Sequence, residues 1–304
     1  MYSYLQPHLH PYTKPTRVST TQRSRCAIST GLALVKDAVG YRERIKSILS
    51  DNVAFRPNPT YKSGKLSFKR IHKVKFTPRV FERRTTMGLK DYHIALVVDC
   101  SGSMYHRGAM YTVMNILPAI IEMIQQTAKV LVLGFNTRTH ILKLPHQIFR
   151  YSEYTNLVKR VEEITRGNGC YGNHDHVAVN TAVEMMRYKS GTKSIIVLSD
   201  GQPNCDSAYA LSSEELQARK VAGENVCSRC SPELDCGTGG YLAEKLRVAV
   251  HSAISQGIYT HGIGIGTNAV KQFYPHYDVV THSESIFPLV LKILKTTVKR
   301  VGVT

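Results

Sequence analysis

Six side chains carry oxygen donors at places where a chain can gather them around a hard cation. Asp99, Ser101 and Ser103 form a D-x-S-x-S pattern at the end of the apolar run YHIALVVD (92–99). Asp200 closes a second apolar run, SIIVLSD (194–200), and is followed by Gly201. Between the two runs, Asn173 and Asp175 lie in the loop Gly172-Asn173-His174-Asp175-His176. A dication such as Mg²⁺ takes about six oxygen ligands in near-octahedral array. Asp99 supplies charge to such an ion. Ser101 and Ser103 sit two residues apart in a tight turn and can point their hydroxyls the same way, with Gly102 letting the backbone bend between them. Asp200 binds directly or through water, and Asn173 or Asp175 supplies a further oxygen. His174 and His176 flank Asp175 and read as polar loop residues beside the cation rather than as ligands.

A second constellation is made of sulfur. Cys205, Cys227, Cys230 and Cys236 follow one another as C-x21-C-x2-C-x5-C. A C-x2-C pair presents two thiolates to one tetrahedral ion, and four thiolates close a structural Zn²⁺ site. The surrounding stretch, 201–240, has few large apolar residues, so a metal staple suits it. The alternative is four reduced thiols that happen to be near in sequence. Cys26, Cys100 and Cys170 have no such spacing, and Cys100, inside the Asp99 loop, is expected to face the core.

The elements that must position these residues alternate in type. Strands are predicted at 92–99, 129–135, 194–200, 258–266 and 277–282, with a short edge strand at 140–144. Helical spacing predicts helices at 107–127, 154–165, 176–188, 241–257 and 283–300, and a short helix at 268–274. Such alternation implies βαβ units, hence an α/β, doubly wound, mainly parallel sheet with helices on both faces. In sheets of that kind ligands sit beyond the carboxyl ends of the strands, near the point where strand order reverses. That is where Asp99 and Asp200 fall.

Residues 1–90 form a basic N-terminal extension to the domain at 91–304. The chain carries a formal net charge of +18. Residues 1–90 hold 19 Lys/Arg against Asp37, Glu43, Asp51 and Glu82, which is +15 of that total. Residues 1–25 read as disordered, 30–50 show helical spacing of apolar residues, and 65–84 alternate basic with apolar residues. A basic extension suits nucleic acid, an acidic protein partner or an acidic linker. No secretory leader is visible, and apolar runs such as IALVV (94–98) are far too short to span a bilayer. Seven cysteines, an odd number unevenly spread, point to a reducing, cytoplasmic compartment.

The oxygen set resembles the metal-ion-dependent adhesion site of von Willebrand factor A domains, whose first motif is D-x-S-x-S. The segments GKLSFKRIHKVKFTPRVFERR, VVDCSGSM, LGFNTR, GNHDHVA, LSDGQP, YLAEKLR and GIGIG also occur in the order seen in the C-terminal half of the CobT subunit of the aerobic cobaltochelatase. This resemblance spans residues 62–300 or so. It implies that Asp99, Ser101 and Ser103 are first-loop ligands, that Asn173 stands where the wider superfamily usually has Thr, and that Asp200 is the third-loop carboxylate. Asp175 matches the Asp of the family's N-x-D-G element, with His176 in place of the Gly. Short CobT-like chains paired with an AAA+ ATPase occur in phages, and the resemblance extends to them.

Three functions are consistent with these readings. The leading one is a non-catalytic, metal-dependent protein-binding subunit whose partner supplies an acidic residue to the cation, with an AAA+ ATPase of the MoxR/CobS-like kind hydrolysing the ATP. The chain has no G-x-x-x-x-G-K-[ST] of its own and no Ser-His-Asp, Cys-His or paired-carboxylate hydrolase pattern. The second is a cobaltochelatase subunit taking part in cobalt insertion into a corrinoid precursor. The third is nucleic-acid binding through the basic extension, which steep salt dependence would reveal.

Overall fold

The computed structural model describes residues 9–10, 22–50, 65–66, 74–75, 81–82, 91–106, 108–166, 172–201, 203, 221, 239–281 and 285–301. Its strands are β1 (Leu9–His10), β2 (Lys65–Leu66), β3 (Phe81–Glu82), β4 (Tyr92–Asp99), β5 (Lys129–Phe135), β6 (Thr139–Lys143), β7 (Thr192–Ser199), β8 (Tyr259–Ile265) and β9 (Tyr277–Val280). Its helices are α1 (Gln22–Ser50), α2 (Gly102–His106), α3 (Ala109–Ile124), α4 (Tyr151–Arg166), α5 (Asp175–Met186), α6 (Gly239–Ser255) and α7 (Ile286–Val301), with a 3₁₀ turn at Ala269–Gln272. The sheet runs β1-β6-β5-β4-β7-β8-β9. Every pairing in it is parallel except β5 with β6. β2 and β3 form a separate antiparallel pair.

β4 is buried at all eight positions. A strand covered on both faces can be apolar throughout, and that is why 92–99 reads as a continuous run rather than an alternation. Ile94, Leu96 and Val98 face a core built with α1, α3, α4 and α7. Ala95 and Val97 face a second core built with α5, α6 and the segment Val270–Tyr274. β5 lies on one side of β4 and β7 on the other, so the strand order reverses at β4. The crevice this leaves at the strands' carboxyl ends is where the fold positions ligands.

Helix α1 starts at Gln22, well before the apolar spacing that predicts a helix from residue 30. Its first two turns, QRSRCAIS, are largely polar and give little periodic signal. Ala27, Leu34, Val35, Ala38, Ile45 and Leu49 are buried in the first core. At Gly31 a Cβ would come 2.8 Å from the Met114 carbonyl oxygen, so the missing side chain lets α1 cross close over α3. Arg42 forms an ion pair with buried Glu122 of α3. Part of the basic N-terminal segment is thus packed into the domain's core.

Cys205, Cys227, Cys230, Cys236 and Cys170 lie outside the described residues. Among the described residues no helix is long and apolar enough to cross a membrane.

Candidate metal centre

Asp99 is the last residue of β4, on the same strand face as Ala95 and Val97. The ladder carries on for one more bond, from Cys100 N–H to the Phe135 carbonyl at 2.7 Å, so the turn begins from a fixed position. Asp99 Oδ1 then accepts the Ser101 N–H at 2.8 Å. This bond closes the turn and sets the Ser101 and Ser103 hydroxyls 3.0 Å apart. Asp99 Oδ2 accepts the Ser199 hydroxyl at 2.6 Å and the Asn173 amide Nδ2 at 2.9 Å. Ser103 Oγ donates to Asp200 Oδ1 at 2.8 Å. Three loops far apart in sequence thereby meet around one carboxylate. Asp99, Ser101, Asn173, Asp175 and Asp200 are all buried, while Ser103 is partly exposed and marks the side open to solvent.

The Asn173 loop is held by the β5–β6 turn. His174 N–H donates to the Asn136 carbonyl at 3.0 Å. Asn136 is itself fixed, because its N–H donates to the Arg138 carbonyl at 3.0 Å and its Oδ1 accepts the Arg138 N–H at 2.9 Å. Asp175 opens α5, where a carboxylate suits the positive end of the helix dipole. Cys100 faces the core as expected, fully buried with its Sγ beside Gly134.

The electrostatics of this cluster suit a cation. Burial pushes the Asp99 carboxyl up to about 6; the bonds from Ser199 and Ser101 act against that rise, and the charge of Asp200 adds to it. Burial holds Asp175 well above the usual carboxylate range, and the charge of Asp99 adds to it. Among the described residues, the main influences on these two acids are burial, the charges of Asp99 and Asp200, and neutral hydrogen-bond donors. Buried like charges are costly together, and a dication between them would offset that cost. Among the described residues, Asn173 Oδ1 and Asp175 Oδ1 are buried without a hydrogen-bond partner. Buried polar atoms of this kind find partners in water or an ion. The donors are carboxylate, hydroxyl and amide oxygens, the set that hard dications such as Mg²⁺ and Mn²⁺ prefer. The residues present therefore fit such an ion.

The hydroxyls and the amide are essential to this set. Among the described residues, no three His, Cys, Asp or Glu side chains converge closely enough to hold a metal by themselves. His174 and His176 have ring centroids 5.9 Å apart and tilted by 36°, and they stand beside the oxygen cluster. Sequence reasoning missed Ser199 and Asn136. Ser199 sits next to Asp200 in the LSD stretch and could have been found there as a second hydroxyl at a strand end. Asn136, in the LGFNTR stretch, carries no signal beyond a polar turn.

Residues 93–226 match the family model of the von Willebrand factor type A domain. No curated protein matches the chain. Among solved structures, the chain is similar to the pilus adhesin SpaC from Lactobacillus rhamnosus GG in its open conformation, at 16% identity and a TM-score of 0.44 over 70% of this chain and 31% of that one. It is similar to the D319A mutant of the PilB minor pilin from Streptococcus sanguinis, at 16% identity and a TM-score of 0.47 over 73% and 65%. It is also similar to the manganese-loaded TRAP protein of Plasmodium vivax, at 15% identity and a TM-score of 0.45 over 69% and 74%. This chain thus spans under a third of the adhesin and just under two thirds of the minor pilin. The fold is α/β, a mainly parallel sheet with helices on both faces, and it is like that of von Willebrand A domains over the matched residues 93–226.

Proposed function

We propose, from the von Willebrand A-type match at residues 93–226, that this chain is a protein-binding subunit whose contact depends on one divalent cation, Mg²⁺ in the first instance. Asp99, Ser101, Ser103 and Asn173 would hold the ion, with Asp200 and Asp175 as the further carboxylates. The observation that carries this reading is the convergence of all three loops on Asp99. The partly exposed Ser103 leaves one side for an acidic residue of the partner. A carboxylate–cation contact gains most when water is excluded from it, so the cation alone does not set the affinity.

The partner we propose is an AAA+ ATPase of the MoxR/CobS-like kind. It is supported by the CobT-like order of motifs and by the absence of a phosphate-binding loop in this sequence. The chain's role is then recognition, with ATP hydrolysed by its partner, in a reducing cytoplasmic compartment. The basic N-terminal segment adds a salt-sensitive contribution, because exposed charges are screened beyond about 8 Å at physiological salt. Cys205, Cys227, Cys230 and Cys236 are proposed to bind one Zn²⁺. Elemental analysis of metal-washed protein beside a Cys227→Ser/Cys230→Ser variant tests that, with zinc in the wild type alone as the expected result.

The main test is capture of the ATPase by the full chain in Mg²⁺, in EDTA, and by Asp99→Ala in Mg²⁺. Retention in the first condition only is the expected result. A partner held equally in all three sinks the cation-dependent reading. A partner released by 0.5 M salt regardless of Mg²⁺, with nucleic acid found in its place, favours the basic segment instead.

A further inference from the structure

Titratable side chains from three elements meet at one edge of the sheet, away from the oxygen cluster. Tyr259 and His261 alternate along β8, and Asp278 stands in β9, the last strand in the sheet order. His261 is 4% exposed. The Tyr259 hydroxyl stands 3.1 Å from His261 Nδ1, and His261 Nε2 lies 3.2 Å from Asp278 Oδ2. Lys292 of α7 closes the chain, its Nζ donating to Asp278 Oδ1 at 2.7 Å and to Oδ2 at 3.0 Å. The His276 ring stacks on Tyr259, with centroids 5.1 Å apart and planes inclined by 16°.

This arrangement suits a neutral His261. With its proton on Nε2 the ring faces the carboxylate, and Nδ1 is left to accept the Tyr259 O–H. A second proton, on Nδ1, would take away the acceptor that Tyr259 uses. It would also bury a new cation beside a carboxylate whose two oxygens Lys292 already holds. Among the described residues, the titratable groups around His261 are Tyr259 on its own strand, His276 just before β9, Asp278 in β9 and Lys292 in α7. On its other side β7 sets apolar Ile196 opposite it. Burial holds the imidazole down at about 4; the charge of Asp278 acts against that fall, and those of His276 and Lys292 add to it.

We propose that His261, Asp278 and Lys292 form an acid-released latch, which holds β9 and α7 against β8 while His261 is neutral and lets that edge of the domain open when His261 takes a second proton. The folded pKa lies below the unfolded one. Stability from His261 is therefore complete above about 6.5 and is lost as pH falls toward about 4. The loss falls on this edge because β9 is four residues long and, among the described residues, is paired with β8 alone, whereas β4, β5 and β7 have a strand on each side. Elements with the fewest partners open first.

The test is hydrogen exchange of the full chain in EDTA at pH 7.5 and 5.5, read by mass spectrometry, with opening of residues 277–301 measured relative to the central strands β4 and β5. In the wild type this relative opening should increase about tenfold at the lower pH. His261→Gln keeps a donor toward Asp278 and cannot titrate, so its relative opening should be the same at both pH values. Lys292→Met frees Asp278 to stabilise a protonated His261, so the pH response should shrink and the imidazole pKa, followed by NMR titration, should rise. A merely structural role would open both variants further at both pH values and leave the wild-type pH response intact, and that result overturns the inference. So does a wild type whose relative opening does not change with pH. Should His261→Gln fold poorly, the wild type and Lys292→Met decide: an imidazole that titrates at or above about 6.5 in the wild type overturns the latch.

Discussion

Ser103 Oγ donates a 2.8 Å hydrogen bond to Asp200 Oδ1 and so joins the loop after β4 to the loop after β7. These strands are neighbours in the sheet, yet the two residues are 97 positions apart in the chain. The bond spans the crevice at the point where strand order reverses. Asp99, deeper in the crevice, gathers Ser101, Asn173 and Ser199. Each loop is tied to another by a bond that a bound cation would have to share or replace.

Asp99→Asn separates the ion from the scaffold. The amide keeps the shape and two of the three hydrogen bonds while removing a buried charge that sits beside the charge of Asp200. In EDTA the variant is expected to melt at or above the wild-type temperature. The rise in melting temperature produced by Mg²⁺ in the wild type should vanish, because ligand stabilisation depends on binding to the folded state. Differential scanning calorimetry with and without Mg²⁺ reads both. A Mg²⁺ shift of wild-type size in Asp99→Asn would refute the assignment of Asp99 as a ligand.

Gly262→Ala tests the packing of Tyr274. The added methyl would meet the base of the ring at 2.5 to 3.2 Å, where no flexible side-chain end can give way. The expected cost is about 1–3 kcal/mol, the usual range for overpacking a closed core. Urea denaturation measures it. Unchanged stability would mean that the ring does not lie on the strand as described.

The strands and their ends were legible because a covered parallel sheet leaves long apolar runs, and Asp99 and Asp200 stand where those runs stop. The D-x-S-x-S turn was legible from spacing alone. Other features were not. Gln22–Ser29 of α1 are mostly polar, so the helix start is set by the packing of Ala27 into the first core rather than by periodicity. Gly262 and Gly264 read as a motif, but their reason is an approach by Tyr274 and Thr267 that only the folded chain shows. Ser199 stands in plain view as a hydroxyl at a strand end, but which neighbour it bonds shows only in the folded chain.

Truncation will show how far the basic segment belongs to the domain. If the segment were only a charged arm, removing residues 1–60 would weaken partner binding and flatten its salt dependence. That deletion also removes six buried residues of α1 and leaves Glu122 without Arg42. Loss of a buried partner alone costs about 1–3 kcal/mol, and the lost apolar contacts add to it. Removal of residues 1–21 is therefore expected to leave the melting temperature within a few degrees of the full chain, while removal of 1–60 lowers it sharply or gives insoluble protein. Circular dichroism melts of the two truncations decide this. Equal stability would show that α1 contributes nothing to the core.

Lys143 gives the pH prediction. Its side chain is fully buried, and Nζ donates to the Val130 carbonyl at 3.0 Å and the Gln147 carbonyl at 2.5 Å, pinning β6 and the loop after it against β5. Burial lowers its ammonium from the ordinary 10.5 to about 8. The folded pKa lies below the unfolded one, so between these two values the unfolded chain holds the proton more firmly than the folded chain. Stability from this residue accordingly rises as pH climbs from about 8 to about 10.5, and is flat below that window. The whole change is on the order of 3 kcal/mol if the shift is fully expressed. Lys143→Met keeps the stem and has no proton to lose. Urea midpoints of wild type and variant at pH 7.5, 9 and 10 should therefore show the wild type gaining on the variant as pH rises. A constant difference across that range would show that Lys143 titrates as it does in water, and that its carbonyl partners fully compensate its burial.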